Sequence, residues 1–488
     1  MSTRAGCARA GSRLYFTAML RKTKIIATLG PATDTQEIQR DLIAAGANVF
    51  RLNMSHAPQE VVRRHVAQIR AASAALDADV AILMDLQGPA IRTGELPAPV
   101  DLVPGDEVEI RQPGTEPTRP ISTTTNYPGL AGDLKVGATV LVDNGVLHFQ
   151  VISKDAERIL CRVLTGGRFG SRRHINLPGT RVSLPGLTDH DLDCLDLAAE
   201  VKVDFIAMSF VRDAAHVREL RGLLKARGCP ARIVAKIEDQ SAVENIDEII
   251  VAADAIMVAR GDLGVEVPIE ELPIIQRRIV SKCVHLGRKV IVATHMLESM
   301  IFAPVPTRAE MTDAANAVFE KADAIMLSGE TSVGKFPVLC VEILDRIARR
   351  AELASRDEPS RADHADLRTD KQKIVRAAVS LANSLDDARL LVFTQRGVMA
   401  EHTAHLRPDD APIFAFTPSR DVARSLHLSR GVHPFVLDFR KDDPHATVEA
   451  ALALLKKNRL IRVGDPVITI SDVLVGEFVT DSVLLRRV

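Results

Sequence analysis

Eight short apolar runs, each followed by a stretch of helical periodicity, set the rhythm of the chain. They are KIIATLG (24–30), VFRLNMS (49–55), VAILMDLQG (80–88), FIAMSFV (205–211), RIVAKIE (232–238), AIMVARGDLG (255–264), KVIVATHML (289–297) and AIMLSGET (324–331). The runs lack strict alternation, which suits strands buried on both faces, as in a parallel sheet. Between them, Asp34 to Ala45 places Ile38, Leu42 and Ile43 on one helical face. Another helix is predicted over 268–287, opened by Pro268 and closed by Gly287, the usual start and stop asymmetry. Eight strand–helix units predict an α/β fold, a closed (β/α)8 TIM barrel, with a doubly wound open sheet as the alternative.

Two interruptions divide the chain. Residues 95–187 are rich in Gly, Pro and Thr and carry short alternating runs (DEVEI, ATVLVD, RILCRVL). They predict a small all-β lid domain inserted into a barrel loop, where added length is tolerated. The barrel then comprises 21–94 and 188–350, after an N-terminal extension of 1–20. A polar stretch, 351–372, reads as a linker. From 373 to 488 the alternation resumes with ARLLVFT, APIFAFT, HPFVL, a long helix at 446–457 and DPVITIS, predicting a C-terminal α/β regulatory domain.

Composition narrows the classes. A share of 46% hydrophobic and 26% charged residues is that of a globular protein, not a disordered chain. Lys plus Arg number 62 against 63 Asp plus Glu, so no basic surplus points to nucleic acid. No run is long and apolar enough to span a bilayer. The six Cys, without CxxC spacing, argue against a zinc ribbon or disulfide scaffold and fit a reducing cytoplasm. The first 33 residues hold no Asp or Glu and several Arg. That has the character of a transit peptide, or of a ragged start with Met19 as initiator, the reading adopted with a cytoplasmic location.

In a barrel, reacting groups gather at the C-terminal ends of strands. Here strand two ends in Arg51, Asn53 and Ser55, strand three in Asp85, and strand four in Ser209. Strand five ends in Lys236 and Glu238, strand six in Arg260 and Asp262, strand seven in Thr294 and His295, and strand eight in Ser328 and Glu330. Glu238 and Asp262 offer two hard oxygen ligands, which suit Mg²⁺ completed by water and substrate oxygens. No His pair has zinc spacing. Lys236 and Arg51 bring positive charge, and cations around a divalent ion are what phosphoryl transfer requires. No Walker loop is present. Singly, each residue has a plainer reading: Glu238 with Asp239 as a helix start, Asp262 as a turn residue, Arg51 as a structural ion pair.

The motifs TKIIATLGPAT, NVFRLNMSH, VAKIEDQSAVENIDEII, DAIMVARGDLGVEVP, VIVATHMLESM and DAIMLSGETSVGKFP, in this order, closely resemble those of the pyruvate kinase family. The inserted region follows more loosely (VLVDNG, HINLPG). The resemblance implies transfer of the phosphoryl group of phosphoenolpyruvate to ADP, giving pyruvate and ATP, the last step of glycolysis. It implies Mg²⁺ on Glu238 and Asp262 (Mn²⁺ as an alternative), Lys236 neutralising the phosphoryl group in transit, and Arg51 gripping the phosphate. Gly261, Asp262 and Thr294 would hold the carboxylate or lie near the carbon to be protonated. Asn53, Ser55, Asp85 and Leu86 would match the monovalent-cation site. Asn53, Met54, Ser55, His56, Arg92 and Arg173 would line the nucleotide phosphates. A homotetramer is implied as well.

Departures from the family pattern leave questions open. Leu86 and Gln87 follow the pattern that carries its own cation at position 90, yet Ala90 is uncharged, so the K⁺ requirement stays open. His190 stands where a Lys is common, Asn144 where an Asp is, and Arg173 where a Lys is. The effector loop FTQRGVMAEHTAHLRP is thinned of hydroxyls, so a fructose bisphosphate site is doubtful and a nucleotide, a sugar monophosphate or no phosphorylated effector are alternatives. A metal-dependent carbon–carbon lyase and a non-catalytic regulatory relative are the competing classes.

Overall fold

The apolar runs form eight parallel strands. They are β1 (Lys24–Thr28), β2 (Val49–Asn53), β3 (Ala81–Asp85), β4 (Phe205–Met208), β5 (Arg232–Ile237), β6 (Ala255–Ala259), β7 (Lys289–Ala293) and β8 (Ala324–Leu327). In the computed structural model they close into one barrel in sequence order, β8 pairing with β1. The structure describes residues 20–355 except 56, and 367–488 except 441, 476 and 477; most of the N-terminal extension and half of the linker lie outside it.

Both faces of the strands are buried, as the unbroken apolar runs require. Ile26, Val49, Leu83, Phe205, Val234, Met257, Ile291 and Met326 belong to the inner core, and Leu428 from beyond residue 373 joins them. Alternate residues such as Ile25, Phe50, Ile82 and Ile233 pack outward with the helices. Each strand is shorter than its apolar run. The polar tail of the sixth winds directly into a helix, Arg260–Glu266, because the Arg260 side chain donates to the carbonyls of Ala293 and Thr294 and turns the chain. The helix expected from Pro268 begins instead at Leu272, with Pro273 in its first turn; it ends before Gly287, whose φ of 70° suits the missing Cβ.

The inserted residues fold as a six-stranded sheet in the spatial order Ile175–Asn176, Thr139–Val142, Leu147–Lys154, Arg158–Thr165, Glu107–Arg111, Ser122–Thr124. It has its own core around Phe149, Phe169 and Val108. Beyond the barrel, four parallel strands, β9 (Arg389–Phe393), β10 (Ile413–Thr417), β11 (Val432–Val436) and β12 (Pro466–Val475), stand in the order β11-β10-β9-β12. A last strand unread in the sequence, β13 (Phe478–Arg487), adds antiparallel to β12.

Buried charge ties this C-terminal sheet to the base of the barrel. Glu401 contacts both Arg232, at the start of β5, and Lys289, at the start of β7, the latter at 2.6 Å. Asp323, just before β8, receives Arg407 in a fork at 2.8 and 2.5 Å and the Arg430 backbone N–H at 3.0 Å.

Candidate functional site

At the opposite end of the barrel the strand termini surround a cavity of about 300 Å³. Arg51, Asn53, Ser55, Asp85, Leu86, Lys236, Glu238 and Asp262 line it from the barrel, and Arg92 and Arg173 from the lid side. The structure thus brings together ten of the sequence-derived candidates. Met54 is buried beneath, Gly261 and Thr294 stand off this lining, and His56 lies outside the described residues.

Lys236 is the hub. Its Nζ lies 2.8 Å from Glu238 Oε1 and 3.3 Å from Asp85 Oδ1, and it donates to Ser209 Oγ at 2.7 Å. Ser209 in turn donates to the Leu86 carbonyl at 2.7 Å. Burial alone would lower the Lys236 ammonium, but Asp85, Glu238 and Asp262 outweigh it and hold it above its ordinary range. Arg51 Nε donates to Asp85 Oδ2 at 2.6 Å and Arg51 Nη1 to Thr28 Oγ1 at 3.3 Å. Burial would raise Asp85, yet Lys236 and Arg51 keep it below the carboxylate range. Its Oδ1 makes no hydrogen bond of ordinary geometry, which leaves an anionic lone pair facing the cavity cations.

Glu238 accepts the Phe210 N–H at 2.6 Å. Burial pushes its carboxyl up to about 7; Lys236 pulls it down and Asp262 adds to the push. A divalent cation beside Glu238 would offset the push from Asp262. Among the described residues no group of three or more His, Cys, Asp or Glu is arranged to hold a metal. Glu238 and Asp262 offer hard carboxylate oxygens, a donor set that suits Mg²⁺, which takes one or two carboxylates and leaves its other positions to water and substrate.

Local backbone supports the arrangement. Asp239 caps the helix Gln240–Glu244 by accepting the Ala242 N–H at 2.8 Å, so the helix-start reading belongs to Asp239 and leaves Glu238 for the cavity. Asp262 lies in a helical first turn, not a loop turn. Phe210, Thr294 and His295 have φ of 52°, 67° and 54°, costly for non-glycine residues and concentrated at functional sites. Thr294 Oγ1 accepts the Gly261 N–H at 2.8 Å and donates to the Ala293 carbonyl at 2.6 Å. His295 is exposed beside Glu298 at 3.6 Å. Glu330 is structural: it accepts the N–H groups of Leu297 and Ser328 at 3.0 and 2.7 Å.

The lid side adds residues that strand-end reasoning does not reach. Asp143, Arg172 and His174 line the cavity with the expected Asn144. Arg173 Nη1 lies 3.3 Å from Asp143 Oδ1. Burial lowers the His174 imidazole; Asp262 raises it and Arg92 lowers it further. The one signal in the sequence is the basic triplet 172–174 just before Ile175. His190 stands apart, its Nε2 3.1 Å from the Met54 carbonyl.

A parallel eight-stranded barrel whose C-terminal mouth gathers a buried lysine, two carboxylates and several arginines has the parts of a phosphotransferase of the TIM-barrel class. The family descriptions "Pyruvate kinase, barrel domain" and "Pyruvate kinase, alpha/beta domain" match residues 20–341 and 372–484. The chain is 40% identical to plastidial pyruvate kinase 2 of Arabidopsis thaliana, over 92% of this chain and 77% of that protein. It is also 40% identical to pyruvate kinase of Geobacillus stearothermophilus, over 96% and 80%. The crystal structure of a pyruvate kinase from Cryptosporidium parvum superposes with a TM-score of 0.90 at 36% identity, covering 96% of both chains. The chain belongs to the pyruvate kinase family, whose general features include use of Mg²⁺ and K⁺. No helix among the described residues is long and apolar enough to cross a membrane.

Proposed function

We propose that this protein transfers the phosphoryl group of phosphoenolpyruvate to ADP, with Lys236, Arg51 and the Glu238–Asp262 pair as its working groups. The observation that carries this is the Lys236 ammonium held charged between Asp85 and Glu238 at the mouth. Glu238 and Asp262 would hold Mg²⁺, which when bound supplies charge neutralisation to the phosphoryl oxygens. Lys236 offers a fixed cation to the same oxygens, in place before the reaction and so without reorganisation. Arg51, oriented by Asp85, grips the donor phosphate. Thr294 holds a hydroxyl beside Gly261 where the enolate is protonated. Arg92 and Arg173, with Asn53, Met54, Ser55 and His56, receive the nucleotide. The sheet of 95–187 acts as a lid that excludes water, the competing acceptor.

In the same reading residues 21–94 and 188–350 form the catalytic unit and 373–488 the regulatory one, and the assembly is a homotetramer. The unpaired buried thiols suit a reducing compartment, here taken as the cytoplasm. For the monovalent site, Arg92 lines the same cavity as Ala90 and is our candidate for the missing cation. The test is direct: protein, phosphoenolpyruvate, ADP and Mg²⁺ are mixed and pyruvate is followed, with K⁺ present or replaced by tetramethylammonium. Binding of phosphoenolpyruvate without turnover in either salt would remove the proposal.

A further inference from the structure

His174 is the one cavity side chain with an ionisable ring that none of the roles above uses. It stands immediately before Ile175–Asn176, the edge strand of the inserted sheet, and its backbone is fixed there. The Asp143 N–H donates to its carbonyl at 3.0 Å, the next residue, Ile175, donates to the Ile91 carbonyl at 2.8 Å, and it bridges antiparallel to Arg92. The imidazole packs at a tilt on Phe210 with ring centroids 6.1 Å apart. Phe210 is itself pinned, its N–H on Glu238. The ring is therefore carried over the barrel mouth by the lid and located by the same residue that orients Glu238.

Two further facts bear on its use. His174 is half-buried, and neither of its ring nitrogens has a hydrogen-bond partner among the described residues, which leaves the ring able to bond to a ligand. The ring lines both the 300 Å³ cavity and a second one of about 280 Å³ behind it. It shares the 300 Å³ cavity with the acidic pair, Glu238 and Asp262, and with the rim arginines Arg92 and Arg173. A ligand that runs from a carboxylate-held divalent ion to an arginine rim is a chain of phosphates.

We infer that His174 is a further binding residue for the acceptor, its ring N–H donating to a phosphate oxygen of the bound nucleoside diphosphate. This rests on the phosphotransfer reading above. The donor substrate, held deeper by Arg51 and Lys236, does not need it. Loss of one hydrogen bond to a charged group corresponds to roughly 10- to 100-fold in affinity.

The test varies ADP and phosphoenolpyruvate separately on the full chain, with His174→Ala and His174→Gln beside the native protein, and titrates Mg-ADP calorimetrically into each. His174→Ala is expected to raise the KM and Kd for ADP by about that factor, leave the KM for phosphoenolpyruvate unchanged and hold kcat within about threefold. His174→Gln, which offers an amide donor, recovers part of the loss. An unchanged KM for ADP in His174→Ala, an equal rise in both KM values, or a fall in kcat alone overturns the inference. If the Ala variant does not fold by thermal melting, His174→Gln and His174→Phe decide: Phe fills the space without a donor, and equal ADP affinity in the two overturns it. A native protein without turnover would count against the phosphotransfer reading instead, and the calorimetric arm would still judge His174.

Discussion

Lys236 is buried because it is surrounded: Asp85, Glu238 and Ser209 each take one of its directions. Its removal leaves two acids facing each other without the cation that balances them. Lys236→Met is expected to lower kcat by on the order of 10²–10³-fold, the scale for losing one preorganised charge donor, in a pyruvate-release assay at saturating substrates. Arg92 allows a second expectation. If its guanidinium stands in for the charge that Ala90 lacks, the native protein keeps its activity in tetramethylammonium. At saturating ADP, where a weakened nucleotide contact does not limit the rate, Arg92→Ala then loses activity in that salt and regains it with K⁺; equal activity of Arg92→Ala in both salts would exclude the substitute role. The barrel's own candidates were readable because each follows an apolar run, and a strand's C-terminal end is a predictable place in this fold. His174, Arg172 and Asp143 were not, because the lid brings them in from far along the chain and the basic triplet 172–174 alone does not encode that approach.

At the scale of elements, the turn after β3 shows how tightly the site is framed. Gly88 has φ of 67°, and a Cβ there would lie 2.8 Å from Ser209 Cβ and 3.0 Å from Phe210 Cδ2. Gly88→Ala is expected to displace Ser209, the acceptor for Lys236, and to lower kcat more than it lowers the melting temperature; unaltered kinetics would show that the loop yields elsewhere. Strand positions were legible from periodicity, but their ends were not. Arg260 draws the tail of the sixth run into a helix through carbonyls of the seventh strand and the residue after it, a tertiary contact. The helix over 272–286 starts late because Pro268 to Glu271 close a turn of their own, the Glu271 N–H donating to the Pro268 carbonyl at 2.9 Å. β13 has exposed Leu484 and Leu485, so its outer positions carry no clean alternation.

For the whole molecule, stability concentrates where the C-terminal sheet meets the barrel base. Asp323 and Arg407 are almost fully buried, and a pair of this kind loses about 3–5 kcal/mol when one member is removed. Asp323→Ala should therefore shift denaturant unfolding to much lower concentration, whereas an exposed control such as Glu60→Ala should not. Burial also holds His405 at about 4 and His427 at about 3, each below the usual imidazole value. These groups are neutral when folded and take up protons when unfolded. Their contribution is intact above about pH 6.5, the unfolded value, and is lost as the pH falls toward their folded values. Melting temperature is expected to fall on acidification from pH 7 to 5, and His405→Gln should flatten that slope. A slope unchanged by His405→Gln would assign the acid loss to other groups. None of this seam was visible in the sequence, since its partners stand far apart along the chain, 84 residues for Asp323 and Arg407 and 112 for Lys289 and Glu401.

The single carboxylate of Glu401, shared by Arg232 and Lys289, has a consequence for how this chain can diverge. Neither cation can be kept comfortably if Glu401 is neutralised, and Glu401 is stranded if both cations go. Substitution at the three positions is coupled, so evolutionary paths through intermediates with one partner missing are disfavoured. A randomised library at 232, 289 and 401, selected for growth dependent on this enzyme, should return survivors whose charges at the three sites balance as a set, and independent assortment of the three would show that the coupling is absent.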